Sequence, residues 1–222
     1  MGSTAARAAD PLAGGGPYSW SGMYVGLHAG GAWGSAAVTD ISGGVTPGPF
    51  SYSPAGVFGG GTTGLNWQMG NLVAGVEGDL GFMDLAGAGT APSSILGLHQ
   101  DLTLSSGFYG DATGRLGFAF GHTLLYGKGG FAAYNGQARQ VTQNLGYVTT
   151  GTQIFTGWTI GGGIEQNVAG NMNVKLEYDH FDFGSQGGSQ TSISDPPVGF
   201  VYTNSTKLTA EAVKIGIDWH LN

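Results

Sequence analysis

The chain of 222 residues contains no cysteine, which removes disulfide frameworks, thiol nucleophiles and cysteine-based metal sites from consideration. Charge is also scarce. Asp, Glu, Lys and Arg together make up 9% of the residues, against about 25% in ordinary soluble proteins, and a surface meeting water on all sides needs more. The net charge of −7, with no local cluster of Lys or Arg, argues against nucleic acid as a partner. Long apolar runs are missing too: Gly, Pro, Asn and Gln interrupt every uncharged stretch, so no segment offers the about 20 apolar residues of a membrane-crossing helix. No charge run or Pro/Ser-rich linker divides the chain, which reads as one domain over residues 19–222 behind a flexible lead of residues 1–18. In that lead, Met1 to Thr4 lacks the apolar core of a secretion signal, while Ala6-Arg7-Ala8 ahead of Ala9-Asp10 has the small-x-small form of a signal-peptidase site.

What is abundant is glycine, with 45 residues, alongside 41% hydrophobic and 11% aromatic residues, a mixture too apolar for a disordered chain. The apolar residues recur with a period of two. Val213, Ile215, Ile217, Trp219 and Leu221 share one parity, and Lys214, Gly216, Asp218 and His220 the other; Met172 to Asp179 divides the same way. That period belongs to strands. Eight such segments are predicted: Met23 to Trp33, Val57 to Gln68, Leu72 to Met83, Phe108 to Ala119, Leu124 to Tyr134, Thr156 to Gln166, Met172 to Phe183 and Lys207 to Leu221. Turns of a few residues alternate with four Gly-, Ser- and Thr-rich stretches of about twenty residues (34–56, 84–107, 135–155 and 184–206), which read as structureless loops. Short turns at one rim and long loops at the other describe an all-β, eight-stranded antiparallel up-and-down transmembrane β-barrel. Trp20, Tyr24, Trp33, Trp67, Tyr126, Trp158, Tyr178 and Trp219 are expected in its aromatic girdles.

Nearly every strand charge falls on the polar parity, which in lipid must be the inside. The predicted lumen network joins the acids Glu77, Asp79, Asp111, Glu165, Glu177, Asp179 and Asp218 to the bases Arg115, Lys128, Lys175 and Lys214. Eight strands enclose a space about wide enough for side chains to fill, so a structural plug of salt bridges is favoured over an ion path. The i, i+2 carboxylate pairs Glu77/Asp79 and Glu177/Asp179 have the spacing of acid/base couples, but neither a nucleophile motif nor a third group accompanies them, and no catalytic residue is assigned. His28 has no evident Ser or Asp partner, the five histidines lack metal-ligand spacing, and no metal site is assigned. Gly59 to Gly64 matches a dinucleotide fingerprint in spacing alone, because the helix that must follow is absent. A soluble lipocalin-like carrier, also eight-stranded, would require the opposite facing of charge.

In order along the chain, Trp20-Ser21-Gly22-Met23-Tyr24-Val25-Gly26, Asn66-Trp67-Gln68, Gly75-Val76-Glu77-Gly78-Asp79-Leu80, Gly114-Arg115-Leu116-Gly117, Leu124-Leu125-Tyr126 and Val174-Lys175-Leu176-Glu177-Tyr178 resemble the small outer-membrane immunogenic and haemin-binding proteins of alphaproteobacteria, which share an OmpA-like eight-stranded barrel. The likeness covers the barrel and not the loops. It implies a Gram-negative outer-membrane location, with outer-membrane lipid, lipopolysaccharide and the barrel-assembly machinery as partners. Lys214, Gly216, Trp219 and Leu221 are similar to the C-terminal signal that such barrels present to that machinery, although family members usually end in an aromatic residue. The implied role is a structural, surface-exposed, non-enzymatic envelope protein with at most a narrow porin-like permeability and no cofactor. Relatives that bind haemin suggest the alternative of a loop site, for which His99, Tyr147 and Tyr202 are the residues able to ligate iron or stack on a porphyrin.

Overall fold

Alternation of apolar or small residues with polar ones gives each strand two faces suited to different surroundings. The computed structural model describes residues 18–40, 50–92, 99–142, 147–191 and 201–221. In chain order the strands are β1 (Gly22–Asp40), β2 (Phe50–Tyr52), β3 (Ala55–Met69), β4 (Leu72–Met83), β5 (Gly87–Pro92), β6 (His99–Phe120), β7 (Thr123–Thr142), β8 (Tyr147–Ala169), β9 (Met172–Thr191) and β10 (Val201–Leu221). All pairings are antiparallel, and β10 returns to β1 from Met23↔Leu221 to Asp40↔Asn204, which closes an eight-stranded barrel. The short β2 and β5 pair with the upper parts of β1 and β6 and prolong β3 and β4. At the other rim the tight turns place Gly70 and Gly121 at φ of 63°, a left-handed conformation that glycine adopts without a Cβ penalty.

The outer face is apolar where the barrel crosses lipid. Leu80 is 75% exposed and Phe108 is 70% exposed, with Leu27, Leu125, Ile160, Leu176 and Ile215 carrying the same band around the cylinder. So large a patch is an aggregation hazard in water and a solvation match in a bilayer. Trp33, Trp67, Trp158 and Tyr178 point outward at its edges, and Trp219 does so in part. The girdle prediction is corrected for Trp20, Tyr24 and Tyr126, which are buried inside the barrel. Parity explains the last two: Tyr24 shares its face with His28 and Tyr126 shares its face with Lys128, so their rings follow the strand and not the usual aromatic preference.

The four long stretches are also corrected. Strand pairing continues far into them, and β8, with 23 residues, is about twice the 9 to 11 residues that a tilted strand needs to cross a bilayer. Their Gly, Ser and Thr content hid a surviving inward alternation. Tyr52, Leu85, Leu104 and Phe155 are buried there and pack into one apolar cluster with Phe58, Met83, Tyr109, Tyr134, Phe181, Phe183 and Leu208.

Candidate functional site

The inward faces of β4, β6, β7, β8, β9 and β10 bring the charged side chains to the barrel axis. Lys128 of β7 stands at the centre, with Nζ 2.9 Å from Glu77 Oε1, 3.2 Å from Asp79 Oδ2 and 2.9 Å from Glu177 Oε1. Lys214 approaches from β10, 2.7 Å from Asp79 Oδ2 and 2.5 Å from Glu177 Oε1. Lys175 joins Asp218 at 3.2 Å and Glu77 at 3.4 Å. Arg115 forks between Glu77 at 3.1 Å and Glu165 at 2.7 Å, its guanidinium 4.2 Å from the Tyr126 ring centre. The lumen holds more acids than bases: Asp179 is only at long range from Lys214, 3.7 Å, and Asp111 Oδ1 has no hydrogen-bond partner among the described residues.

Neutral groups complete this belt. Tyr24 donates to Glu77 Oε2 at 2.8 Å, Tyr126 donates to Glu177 Oε2 at 2.5 Å, and Asn173 donates to Glu165 Oε1 at 2.9 Å. His28, unpartnered in the sequence reading, gains partners through the fold. Its Nδ1 lies 2.9 Å from Thr62 Oγ1, which itself donates to Asp79 Oδ1 at 2.5 Å. Thr62 has one hydroxyl hydrogen, so the His28 Nδ1–H must donate to it, leaving Nε2 to face the Tyr109 hydroxyl. Thr62, His28 and Asp79 thus sit together with all three side chains buried. Carboxylate oxygens of Glu77, Asp79 and Glu177 lie within 4.8 Å of one another, a set with the spacing to hold a metal ion. Here the Lys128 ammonium supplies the positive charge among them, so the cluster reads as an ion-pair node.

The belt is capped at both ends. Above it lies the apolar cluster already described. Below it Trp20, Val73, Ala119, Leu124 and Tyr126 form a second cluster against which Tyr18 packs. Burial there pushes the Tyr18 hydroxyl above its ordinary pKa. Trp20 lay outside every periodic segment, and nothing in its sequence surroundings marked it as a lumen residue.

Inward glycines make room for the belt. A Cβ on Gly64 would stand 2.3 Å from the Tyr24 ring, and one on Gly26 would stand 1.9 Å from Asp218 Oδ1. Gly64→Val should therefore displace Tyr24 from Glu77 and Arg115 and cost about 1–3 kcal/mol. Equilibrium urea unfolding in detergent reads the change directly, and an unshifted midpoint would refute this account of the cradle.

The eleven ionic residues named from parity all have their side chains inside the barrel. Of the C-terminal group, Lys214 and Gly216 face the lumen, with Gly216 beneath the Lys175 stem, whereas Leu221 points outward. His99, Tyr147 and Tyr202 fall in β6, β8 and β10 at the far rim, and their side chains lie outside the described residues. The glycine run 59–64 is strand β3.

A closed antiparallel cylinder, greasy outside and ionic along its axis, defines an integral outer-membrane β-barrel protein. Comparison with known proteins adds the family. Residues 1–220 match the outer membrane protein beta-barrel domain family, and the chain belongs to it. Its relatives include the 25 kDa outer-membrane immunogenic protein of Brucella abortus, 27% identical over 91% of this chain and 79% of the relative. The 31 kDa outer-membrane immunogenic protein of Brucella melitensis is 27% identical over 91% and 84%, and the 22 kDa outer membrane protein of Rhizobium leguminosarum is 31% identical over 56% and 51%. Among solved structures, the outer membrane protein OprG of Pseudomonas aeruginosa superposes with a TM-score of 0.55 at 10% identity, covering 90% of this chain and 97% of that one, a likeness of fold.

Proposed function

We propose that this protein is a non-conducting structural stave of the outer membrane that displays its far rim at the cell surface. The observation that carries the reading is the three-layered filling of the lumen: apolar cluster, ionic belt and aromatic cluster, in sequence along the axis. An ion crossing this path would have to part Lys128 and Lys214 from their carboxylates and then shed its water among Phe58, Phe155 and Phe183, which is costly in a low-dielectric interior. A non-enzymatic role is supported by the burial of Thr62 and His28 and by relatives named for immunogenicity rather than for a reaction. That naming also favours surface display. Lipid and lipopolysaccharide are the partners suited to the outer band, and the assembly machinery is the partner suited to the C-terminal strand through Lys214, Gly216, Trp219 and Leu221.

The test is electrical. Purified protein inserted into planar bilayers should give no defined conductance steps, at either polarity, under conditions in which a known porin does. Reproducible single-channel steps would overturn the reading and favour a narrow pore.

A further inference from the structure

Beneath the ionic belt lies a layer of buried polar atoms that find no hydrogen-bond partner among the described residues. They include both ring nitrogens of His220, the side-chain amide of Asn66, Arg115 Nε and Trp20 Nε1. These groups share one level of the barrel. His220 stacks on Tyr24 with ring centres 5.6 Å apart, the Arg115 guanidinium lies 5.4 Å from the same ring, and Asn66 and Arg115 both reach over Gly75. The layer mixes donors and acceptors on rigid strands. Water, which both donates and accepts, is the small molecule complementary to such a set.

What separates this layer from the short-turn rim is not a strand. Residues 18–21 run beneath the barrel ahead of β1, with Trp20 fully buried, edge-on to Tyr18 at 4.9 Å and to His220 at 6.3 Å. Two hydrogen bonds fasten the segment to the end of β3: the Trp20 N–H donates to Gln68 Oε1 at 2.7 Å, and the Gln68 N–H donates to Ser21 Oγ at 2.9 Å. Neither belongs to the ladder that closes the cylinder, so breaking them would leave all eight strands paired. In outer-membrane barrels the short-turn rim faces the periplasm.

We propose that Tyr18 to Ser21 is a releasable periplasmic stopper over a water-binding chamber, and that its release opens the barrel only as deep as the ionic belt. The inference goes beyond the non-conducting role and leaves it intact, because the apolar cluster above the belt is untouched by the release.

The cysteine-free chain permits a direct test. Single cysteines are placed at Asn66 in the chamber (Asn66→Cys) and at Ala32 in the upper cluster (Ala32→Cys), each alone, with Trp20→Ala, and with Gln68→Ala. The full-length protein, folded in detergent micelles, is treated with a small charged methanethiosulfonate reagent, and heat-modifiable gel migration verifies the fold of each variant. The thiol of Asn66→Cys should react at least tenfold faster when Trp20 is truncated and several-fold faster when Gln68 is truncated, while that of Ala32→Cys stays protected throughout. Gln68→Ala removes a fastening without emptying the core, so it decides the matter if Trp20→Ala fails to fold. Equal labelling of Asn66→Cys with and without the stopper substitutions would overturn the proposal, as would exposure of the Ala32→Cys thiol in a folded variant. Conductance steps in the parent protein would instead count against the structural reading alone.

Discussion

Replacing Lys128 with methionine should destabilise the barrel by about 3–5 kcal/mol, the usual cost of stranding buried charges by removing one partner. Methionine has nearly the same volume and leaves no cavity, so the loss reports charge and not packing. The size follows from position: Lys128 is the cation that touches Glu77, Asp79 and Glu177 together. Without it their oxygens, within 4.8 Å of one another, repel in a medium that screens poorly. Reversible urea unfolding in micelles, followed by tryptophan fluorescence, measures the change. Adding Glu177→Gln should recover part of the loss, since the amide oxygen still accepts from Tyr126 while one carboxylate charge disappears. A loss below about 1 kcal/mol for Lys128→Met would mean that the belt contributes little to stability, contrary to the value of a buried pair.

Leu80→Arg should have the next largest effect, about 2–4 kcal/mol in lipid vesicles, as expected for a cation on the lipid face near the bilayer midplane. Leu80 is 75% exposed, and a water-facing site of that exposure would tolerate the change within about 0.5 kcal/mol. Its depth follows from register: Leu80 is paired with Gly61, Gly61 with Leu27, and Leu27 with Ile217, a girth roughly midway between the tight turns and the level of Trp33. Thr39→Arg, on the same outer parity of β1 but near its far end, is the control and should be close to neutral. Equal effects at the two positions, measured by equilibrium unfolding from vesicles, would contradict the assignment of Leu80 to the hydrocarbon.

Period-two alternation made the barrel legible because lipid enforces it on every residue of the crossing segment. Lys128, Glu177 and Lys214 could be assigned to the axis from their neighbours alone, since a one-residue slip would turn each of them into hydrocarbon. Parity points Tyr24 and Tyr126 to the axis as well, whereas their chemical type points to the membrane edge, and in the fold parity prevails. The upper barrel was harder to read. Beyond the bilayer no solvent penalises a polar outer face, and the inward signal thins to sparse residues such as Phe50, Tyr52 and Leu104. The grouping of His28 with Thr62, Asp79 and Tyr109 was not readable at all, because contacts separated by 34 and 81 positions depend on strand register around the whole cylinder. Trp20 precedes the first strand and carries no periodic context.

The place of Lys214 in the chain bears on the order of assembly. It sits on the final strand, 135 positions from Asp79, and the seam it shares with β1 is the last that a chain made from its N-terminus can form. Glu177 faces Lys214 directly across the β9–β10 pairing, but Asp79, on β4, gains the Lys214 ammonium only when the seam with β1 zips, so the half-built sheet carries an electrostatic debt around Asp79 that its own completion cancels. Completing the charge balance around Asp79 and sealing the seam are therefore a single event, which disfavours partly curled intermediates in which β1 and β10 stay apart.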